Sequence, residues 1–310
     1  MNIHLVISFN DSFTIPAGVC ITSLAVNAKP DSFYNIHILF SRSRLSDSNQ
    51  QKIRKLESRY KNISLTFIDV DDAFKNGFEI RNVTIETYYR LLIPAVFTDI
   101  EKILYLDVDT IINTDLSNLF NTDIENYHLA GAREFFNTTE TSQSRYIKTL
   151  QLNPTEYINA GILLFNLKYI RKELDSYNDK IHKLATLNLT YQDQDILNII
   201  FKNSILYIEH SYNYTFPKLL DGLHITTPDV IHYILEKPWD TPRPFGDIWW
   251  NYYKNSMFFD KKYYLKHQIK AFKNLDTHLK IGRLLYKLGF NRLISFKRHI
   301  HFLFRKIRTK

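Results

Sequence analysis

The chain of 310 residues has one cysteine, only eight glycines and no run of about 18 apolar residues. A single thiol, Cys20, cannot form an intramolecular disulfide, which suits a reducing compartment. Without a long apolar run, no segment reads as a membrane-spanning helix. The first residues, MNIHLVISFN, lack the basic start and apolar stretch of a signal peptide and read as a β-strand. The turn after that strand, SFNDSF, contains no glycine, which argues against the glycine-rich loop of a sugar nucleotidyltransferase. Acidic residues are missing from one end only. Residues 280–310 hold ten Lys and Arg and no Asp or Glu, while the other 30 basic residues face all 32 acidic ones. The first 279 residues therefore carry a net charge of −2, so the body offers no basic groove. A two-metal nuclease is disfavoured and no nucleic-acid partner is expected.

What is present is a globular composition, 45% hydrophobic and 23% charged, with enough apolar residues for a large core. Residues 3–9, 35–40 and 63–70 read as strands. Between the first two lies PAGVCITSLAVNAK, a helix with Pro16 in its first turn. Between the second and third, Ser46 can cap a helix that places Ile53, Leu56 and Tyr60 on one face. The order β-α-β-α-β predicts an open α/β sheet with right-handed crossovers, and residues 102–107 supply a fourth strand.

That fourth strand runs into ILYLDVDT, where Asp107 and Asp109 flank Val108. The same tripeptide occurs at Asp69–Asp71, and a third D-x-D at Asp193 and Asp195, so context must choose between them. The copy at 69 precedes Asp72 and a turn-like KNGF, and reads as a capping cluster at the surface. The copy at 107 leads into another β-rich stretch, TIINTDL, so the chain is expected to continue straight through. In an extended chain an i, i+2 pair projects to one side. Two carboxylates held together repel unless a cation lies between them, and hard oxygen ligands point to Mg²⁺ or Mn²⁺.

Five segments, TYYRLLIP (87–94), KILYLDVDTIINTDLSNLF (102–120), YINAGILLFNLK (157–168), DQDILN (193–198) and IHYILEKPW (231–239), together resemble glycosyltransferase family 8, the retaining GT-A enzymes. The resemblance implies a GT-A, Rossmann-like mixed open sheet flanked by helices. It also implies a hexosyltransferase that moves glucose or galactose from a UDP-sugar to a glycan or lipid-linked saccharide, as in lipopolysaccharide or other cell-surface polysaccharide synthesis. Carried over position by position, it makes Asp107, Asp109 and His232 metal ligands. An imidazole among carboxylates shifts preference toward Mn²⁺, with Mg²⁺ as the alternative. The ordinary alternative for His232 is a hydrogen-bonded histidine at a strand end.

For the nucleotide and diphosphate, the resemblance implies Ser8, Asn10, Asp11, Phe13, Val108 and Lys237. Asn10 and Phe13 replace the usual Asp and Tyr, and Leu235 stands where glycine is usual. For the donor sugar it implies Arg90, Glu134, Asn159, Ala160, Asp193 and Gln194. Arg90 could otherwise be a surface charge, and Glu134 replaces a commoner Asp. Gln194 and Asp193 are the catalytic candidates. Gln194 has a neutral amide, a poor nucleophile, so front-face attack with its carbonyl oxygen stabilising the cationic sugar is favoured over double displacement. A non-catalytic nucleotide-sugar-binding protein of this fold would have little reason to keep Asp107, Asp109 and His232 together.

Two domains are expected: a catalytic one over 1–265 and a basic amphipathic helical tail over 266–310. Ile281, Leu284, Leu285 and Leu288, then Leu293, Phe296, Ile300, Leu303, Phe304 and Ile307, form apolar faces opposite basic residues. That composition suits an anionic membrane surface, hence a cytoplasmic protein on the inner face of the cytoplasmic membrane. Packing on the body and RNA binding are the alternatives for the tail. The aromatic run IWWNYYKNSMFF (248–259) either stacks on acceptor sugars or closes the core.

Overall fold

The structure, a computed structural model, describes residues 1–71, 73–74, 84–134 and 141–288. Apolar residues in consecutive pairs along the early strands dictate a sheet covered on both faces. Strands β1 (Asn2–Ser8), β2 (Phe33–Phe40), β3 (Ile63–Asp69) and β4 (Lys102–Leu106) are mutually parallel where they pair. Strand β5 (Thr110–Ile112) leaves for a second sheet. Strands β6 (Leu129–Arg133), β7 (Ile158–Asn166) and β8 (Ile205–Ile208) complete the large sheet in the order β3-β2-β1-β4-β7-β6-β8, with β7 antiparallel to both neighbours. The small sheet is β5-β10-β9, made with β9 (Tyr214–Thr215) and β10 (Val230–His232).

Strand alternation sorts the side chains into two cores. Ile3, Leu5 and Ile7 of β1 join Leu104 and Leu106 of β4 on one face, under helices α1 (Thr14–Val26) and α2 (Asp47–Arg59). Val6, Ile103 and Tyr105 enter the other face, against Tyr88, Leu91 and Ile196. In α2, Ile53 and Leu56 are fully buried, each contributing on the order of 2 kcal/mol. Ser46 does occupy the N-cap of α2, but its hydroxyl donates to Asp11 Oδ1 rather than capping the helix itself. Asp11 Oδ1 also accepts from Ser46 N and Asn49 Nδ2, so this carboxylate ties the start of α2 to the turn after β1. Burial works against that charge, but the hydrogen bonds from Asn49 and Ser46 outweigh it and hold the carboxyl below its usual range.

The expected straight passage after β4 is not what forms. The strand ends at Leu106, and the chain bends through Asp107–Asp109 into the other sheet. The Thr110 hydroxyl donates to Asp107 O at 2.7 Å and closes the bend. In β7, Gly131 of β6 faces Leu163, yet Arg133 faces Ile158, so β7 advances five residues while β6 advances two. Such a bulge re-aims side chains, and here it involves Asn159, Ala160 and Gly161.

The chain divides into two compact units: Met1–Leu235 with Ile248–Phe258, and Glu236–Asp247 with the chain from Phe259 onward. In the first unit Trp249 and Tyr253 are fully buried and Trp250 nearly so, which makes this part of the aromatic run core. Gly18 on α1 leaves room for Phe258, since a Cβ there would lie 2.3 Å from its ring. In the second unit, a helix runs unbroken over Lys261–Lys287, across residues 265 and 266. His267 Nδ1 donates to Trp239 O, and Lys270 pairs with Asp240. Ile281, Leu284 and Leu288 are all exposed. The expected apolar positions from Leu293 to Ile307 lie outside the described residues. Among the described residues no helix is long and apolar enough to cross a membrane.

Candidate active site

Three ligand atoms converge where the two sheets meet. Asp107 and Asp109 come from the bend after β4, and His232 from the end of β10, which pairs antiparallel with β5 and sets His232 opposite Thr110. One ligand atom from each of the three lies within 4.8 Å of the others. His232 Nε2 is 3.5 Å from Asp107 Oδ2 and 3.3 Å from Asp109 Oδ1. The backbone locks the arrangement: Asp107 N donates to Gly161 O, and Tyr233 N to Asp109 O. Gly161 has to be glycine, because a Cβ there would sit 2.1 Å from His232 Cε1 and 3.0 Å from Asp107 Oδ2.

The two oxygens of Asp107 face different partners. Oδ1 accepts from Arg90 Nη2 and Tyr105 Oη, both at 2.8 Å, which leaves Oδ2 toward His232. Tyr105 reaches Asp107 because residues 103, 105 and 107 fall on one side of the strand. Arg90 is no surface charge. It is 3% exposed, lies 4.3 Å over the Tyr105 ring, bonds Ala160 O, and pairs through Nε with Asp193 Oδ2 at 2.9 Å. Burial opposes its charge, but Asp107 and Asp193 overcome that and hold the guanidinium above its usual range. Burial pushes Asp193 up to about 6 even though Arg90 pulls the other way. Its Oδ1 accepts from Thr87 Oγ1 at 2.6 Å.

Ala160 offers its backbone to both sides: its N–H donates to Gln194 Oε1 at 3.0 Å and its carbonyl takes Arg90. Asn159 donates through Nδ2 to Glu134 Oε1 at 2.8 Å. Arg90, Asn159, Ala160, Glu134, Asp193 and Gln194 thus form one bonded network that reaches Asp107. Asp195 has a different role. Fully buried, it accepts from Tyr146 and Tyr157 and from Tyr191 N, and so fastens the start of helix Gln192–Ile200.

At the end of β1, Ser8 Oγ bonds Glu86 O and Tyr105 Oη. The Asn10 amide, expected to face a base, is largely engaged: Oδ1 accepts from Ser12 N and Oγ, and Nδ2 donates to Glu86. Glu86 is 3% exposed and also pairs with Arg44; sequence reasoning missed it because an acidic residue before TYYR carries no motif. Phe13 packs against the sheet core, and the Val108 side chain is buried there. Lys237 belongs to the second unit, half-buried in a turn where its carbonyl accepts from Asp240 and Thr241. Leu235 has φ 64°, the left-handed conformation that glycine adopts freely. The backbone shape survives the departure from glycine.

Two further residues escaped the sequence. Asn213 is fully buried and meets His232, and fully buried Lys218 donates from Nζ to Asn213 O at 2.7 Å. Burial lowers Lys218 to about 8, with Glu134 acting against the shift. Neither sits in a motif, and only the pairing of β9 with β10 brings them close. Gly161 did leave a signal, as a glycine inside a buried strand.

Two carboxylate oxygens and one imidazole nitrogen, with space kept open by a glycine, fit a divalent cation. A Haemophilus influenzae protein named as a glycosyltransferase is 33% identical over 56% of this chain and 52% of its own. The lipopolysaccharide 1,3-galactosyltransferase of Salmonella typhimurium is 25% identical over 83% of this chain and 76% of its own. The chain spans 34% to 52% of the length of the first three curated relatives it matches. The crystal structure of the galactosyltransferase LgtC with donor and acceptor sugar analogs superposes with a TM-score of 0.70. It is 25% identical and covers 85% of this chain and all of that one, and its GT-A fold is the mixed sheet described above. The sequence profile of glycosyl transferase family 8 matches residues 4–242, and this chain is a member of that family.

Proposed function

We propose that the protein is a retaining, metal-dependent hexosyltransferase that moves glucose or galactose from a UDP-sugar to a glycan or glycolipid in cell-surface polysaccharide synthesis. The observation that carries this reading is the bonded path from the Asp107–Asp109–His232 cluster through Arg90 to Asp193, Ala160 and Gln194. Asp107, Asp109 and His232 would hold Mn²⁺, with Mg²⁺ as the alternative. The ion would supply charge to the diphosphate and to UDP as it leaves. Ser8, Asn10, Asp11, Phe13 and Val108 surround the nucleoside and diphosphate.

Arg90, between two carboxylates, holds Asp107 in place for the metal and Asp193 for the sugar. Asp193 still has free lone pairs for sugar hydroxyls after bonding Thr87 and Arg90. The Ala160 N–H orients the Gln194 amide, and the amide oxygen would stabilise the cationic carbon that develops on front-face attack. Glu134 and Asn159 line the sugar.

The body, residues 1–265, carries this chemistry, and 266–310 attaches the protein to the inner face of the cytoplasmic membrane. Exposed Ile281, Leu284 and Leu288 beside Arg283 and Lys287 support that attachment. Release of UDP from a panel of UDP-sugars, with Mn²⁺ and with EDTA, tests the donor half. The expected result is metal-dependent release with a first-formed product of unchanged anomeric configuration by NMR; an inverted anomer overturns the reading. Truncation after Asp276 should spare hydrolysis of the donor and abolish binding to anionic vesicles.

A further inference from the structure

Asn213 lies outside every motif, at the end of the turn His210–Asn213 that leads into β9. It has no solvent exposure, and the two ends of its amide serve different parts of the site. Nδ2 donates to Asn159 Oδ1 at 2.8 Å, and Oδ1 meets His232 Nδ1 at 3.0 Å.

The chemistry of the neighbours fixes which end points where. Gly161 N–H can only donate, and it bonds Asn159 Oδ1 at 2.9 Å. Asn159 Nδ2 bonds the Glu134 carboxylate at 2.8 Å, so the orientation of Asn159 is set from both sides. Asn213 must then present its NH₂ to Asn159 and its carbonyl oxygen to His232. A carbonyl oxygen accepts only, so the His232 proton resides on Nδ1. The lone pair of Nε2 is thereby turned toward Asp107 Oδ2 and Asp109 Oδ1. The main chain of Asn213 is held by the buried Lys218 ammonium.

We infer that Asn213 is a positioning residue that selects the metal-binding tautomer of His232 and ties the metal site to the Asn159–Glu134 pair lining the donor sugar. This rests on the metal reading proposed above. Outer partners of a ligating histidine affect metal affinity about 10- to 100-fold, through ring orientation and tautomer. Asn213 has the added feature that its other end reaches the sugar side.

The test uses the full chain, with Mn²⁺ affinity read from the EPR signal of free Mn²⁺, and UDP, UDP-glucose and UDP-galactose affinities read by calorimetry. Asn213→Leu should weaken Mn²⁺ about 10- to 100-fold. Asn213→Asp keeps an acceptor for His232 and should hold Mn²⁺ within about threefold of wild type. It also sets a carboxylate against Asn159 Oδ1, so the ratio of UDP-hexose to UDP affinity should fall for whichever hexose the wild type prefers. A residue that mattered only for folding would lose both probes together and show no such split. Wild-type Mn²⁺ affinity in Asn213→Leu overturns the inference, as does equal loss of Mn²⁺ in both variants. If wild type bound no Mn²⁺, or Asp109→Asn bound it equally well, the metal reading itself would fail. In that case ¹⁵N NMR of His232 in the metal-free protein still decides the tautomer: an Nδ1–H signal supports the role of Asn213 and an Nε2–H signal refutes it.

Discussion

Two copies of Asp-Val-Asp stand at the ends of parallel strands in one sheet, and they meet different fates. Asp69 ends β3, where Arg42, with a side chain 84% exposed, pairs with it at 2.7 Å. Asp71 turns left-handed at φ 52°, and its N–H bonds Asp69 Oδ1, as a surface turn does. Asp107 stands just past the end of β4 instead. There it meets Arg90, 3% exposed, and β10 of the second sheet, paired with β5, carries His232 up to it. The difference is in the neighbours. Among the described residues β3 is an edge strand with one neighbour, whereas β4 lies between β1 and β7, near the middle. A central position brings partners from distant parts of the chain, and those partners turn a pair of carboxylates into a candidate cation site.

The largest contrast should come from amide substitution in each copy. Asp109→Asn should lower transfer by about three orders of magnitude or more, with circular dichroism unchanged, because it removes a charged ligand and keeps the shape. Asp71→Asn should leave the rate near wild type. Equal rates in the two variants would mean that the wrong copy was chosen. Gly161→Ala attacks the same site from behind. Its Cβ would lie 2.1 Å from His232 Cε1 and displace the ring, so Mn²⁺ should bind about 10- to 100-fold more weakly. Overpacking should also cost about 1–3 kcal/mol in urea denaturation.

The buried and exposed ion pairs should differ in their weight for stability. Asp193 titrates near 6 in the folded protein because burial disfavours its charge, above the ordinary carboxylate value of 3.8. Between those two values the folded state binds the extra proton, so this residue's contribution to stability rises as pH falls from about 6 to 4. Asp193→Asn lacks that response. Wild type should gain on the order of 2 kcal/mol relative to the variant across this range, measured by urea denaturation at several pH values. At the exposed pair, Arg42→Ala should shift stability by less than about 0.5 kcal/mol. The smallest contrast concerns two left-handed residues, Asp71 and Leu235, at φ 52° and 64°. Aspartate tolerates that region better than leucine. Leu235→Gly should stabilise by up to about 1 kcal/mol and retain transfer activity, while Asp71→Gly should change thermal stability less.

The sequence by itself determined a good deal. Apolar runs located β1 to β4, Pro16 marked the first turn of α1, and a one-face pattern located α2, since burial leaves its mark on neighbouring residues. Short segments in fixed order marked the family, and they included the three residues whose ligand atoms converge. The surface turn at Asp69–Asp71 was legible too, because KNGF and Asp72 follow it. The tertiary structure alone decided the bend after Leu106, the removal of Asp195 into a tyrosine cage, and the engagement of Asn10 with Ser12 and Glu86. It alone supplied Asn213 and Lys218. Each of these depends on what stands opposite in space, 19 residues away for Asn213 and His232 and 70 for Arg90 and Ala160. A hydrogen bond needs its two partners within about 3 Å but puts no constraint on the residues between them, so no local pattern records it.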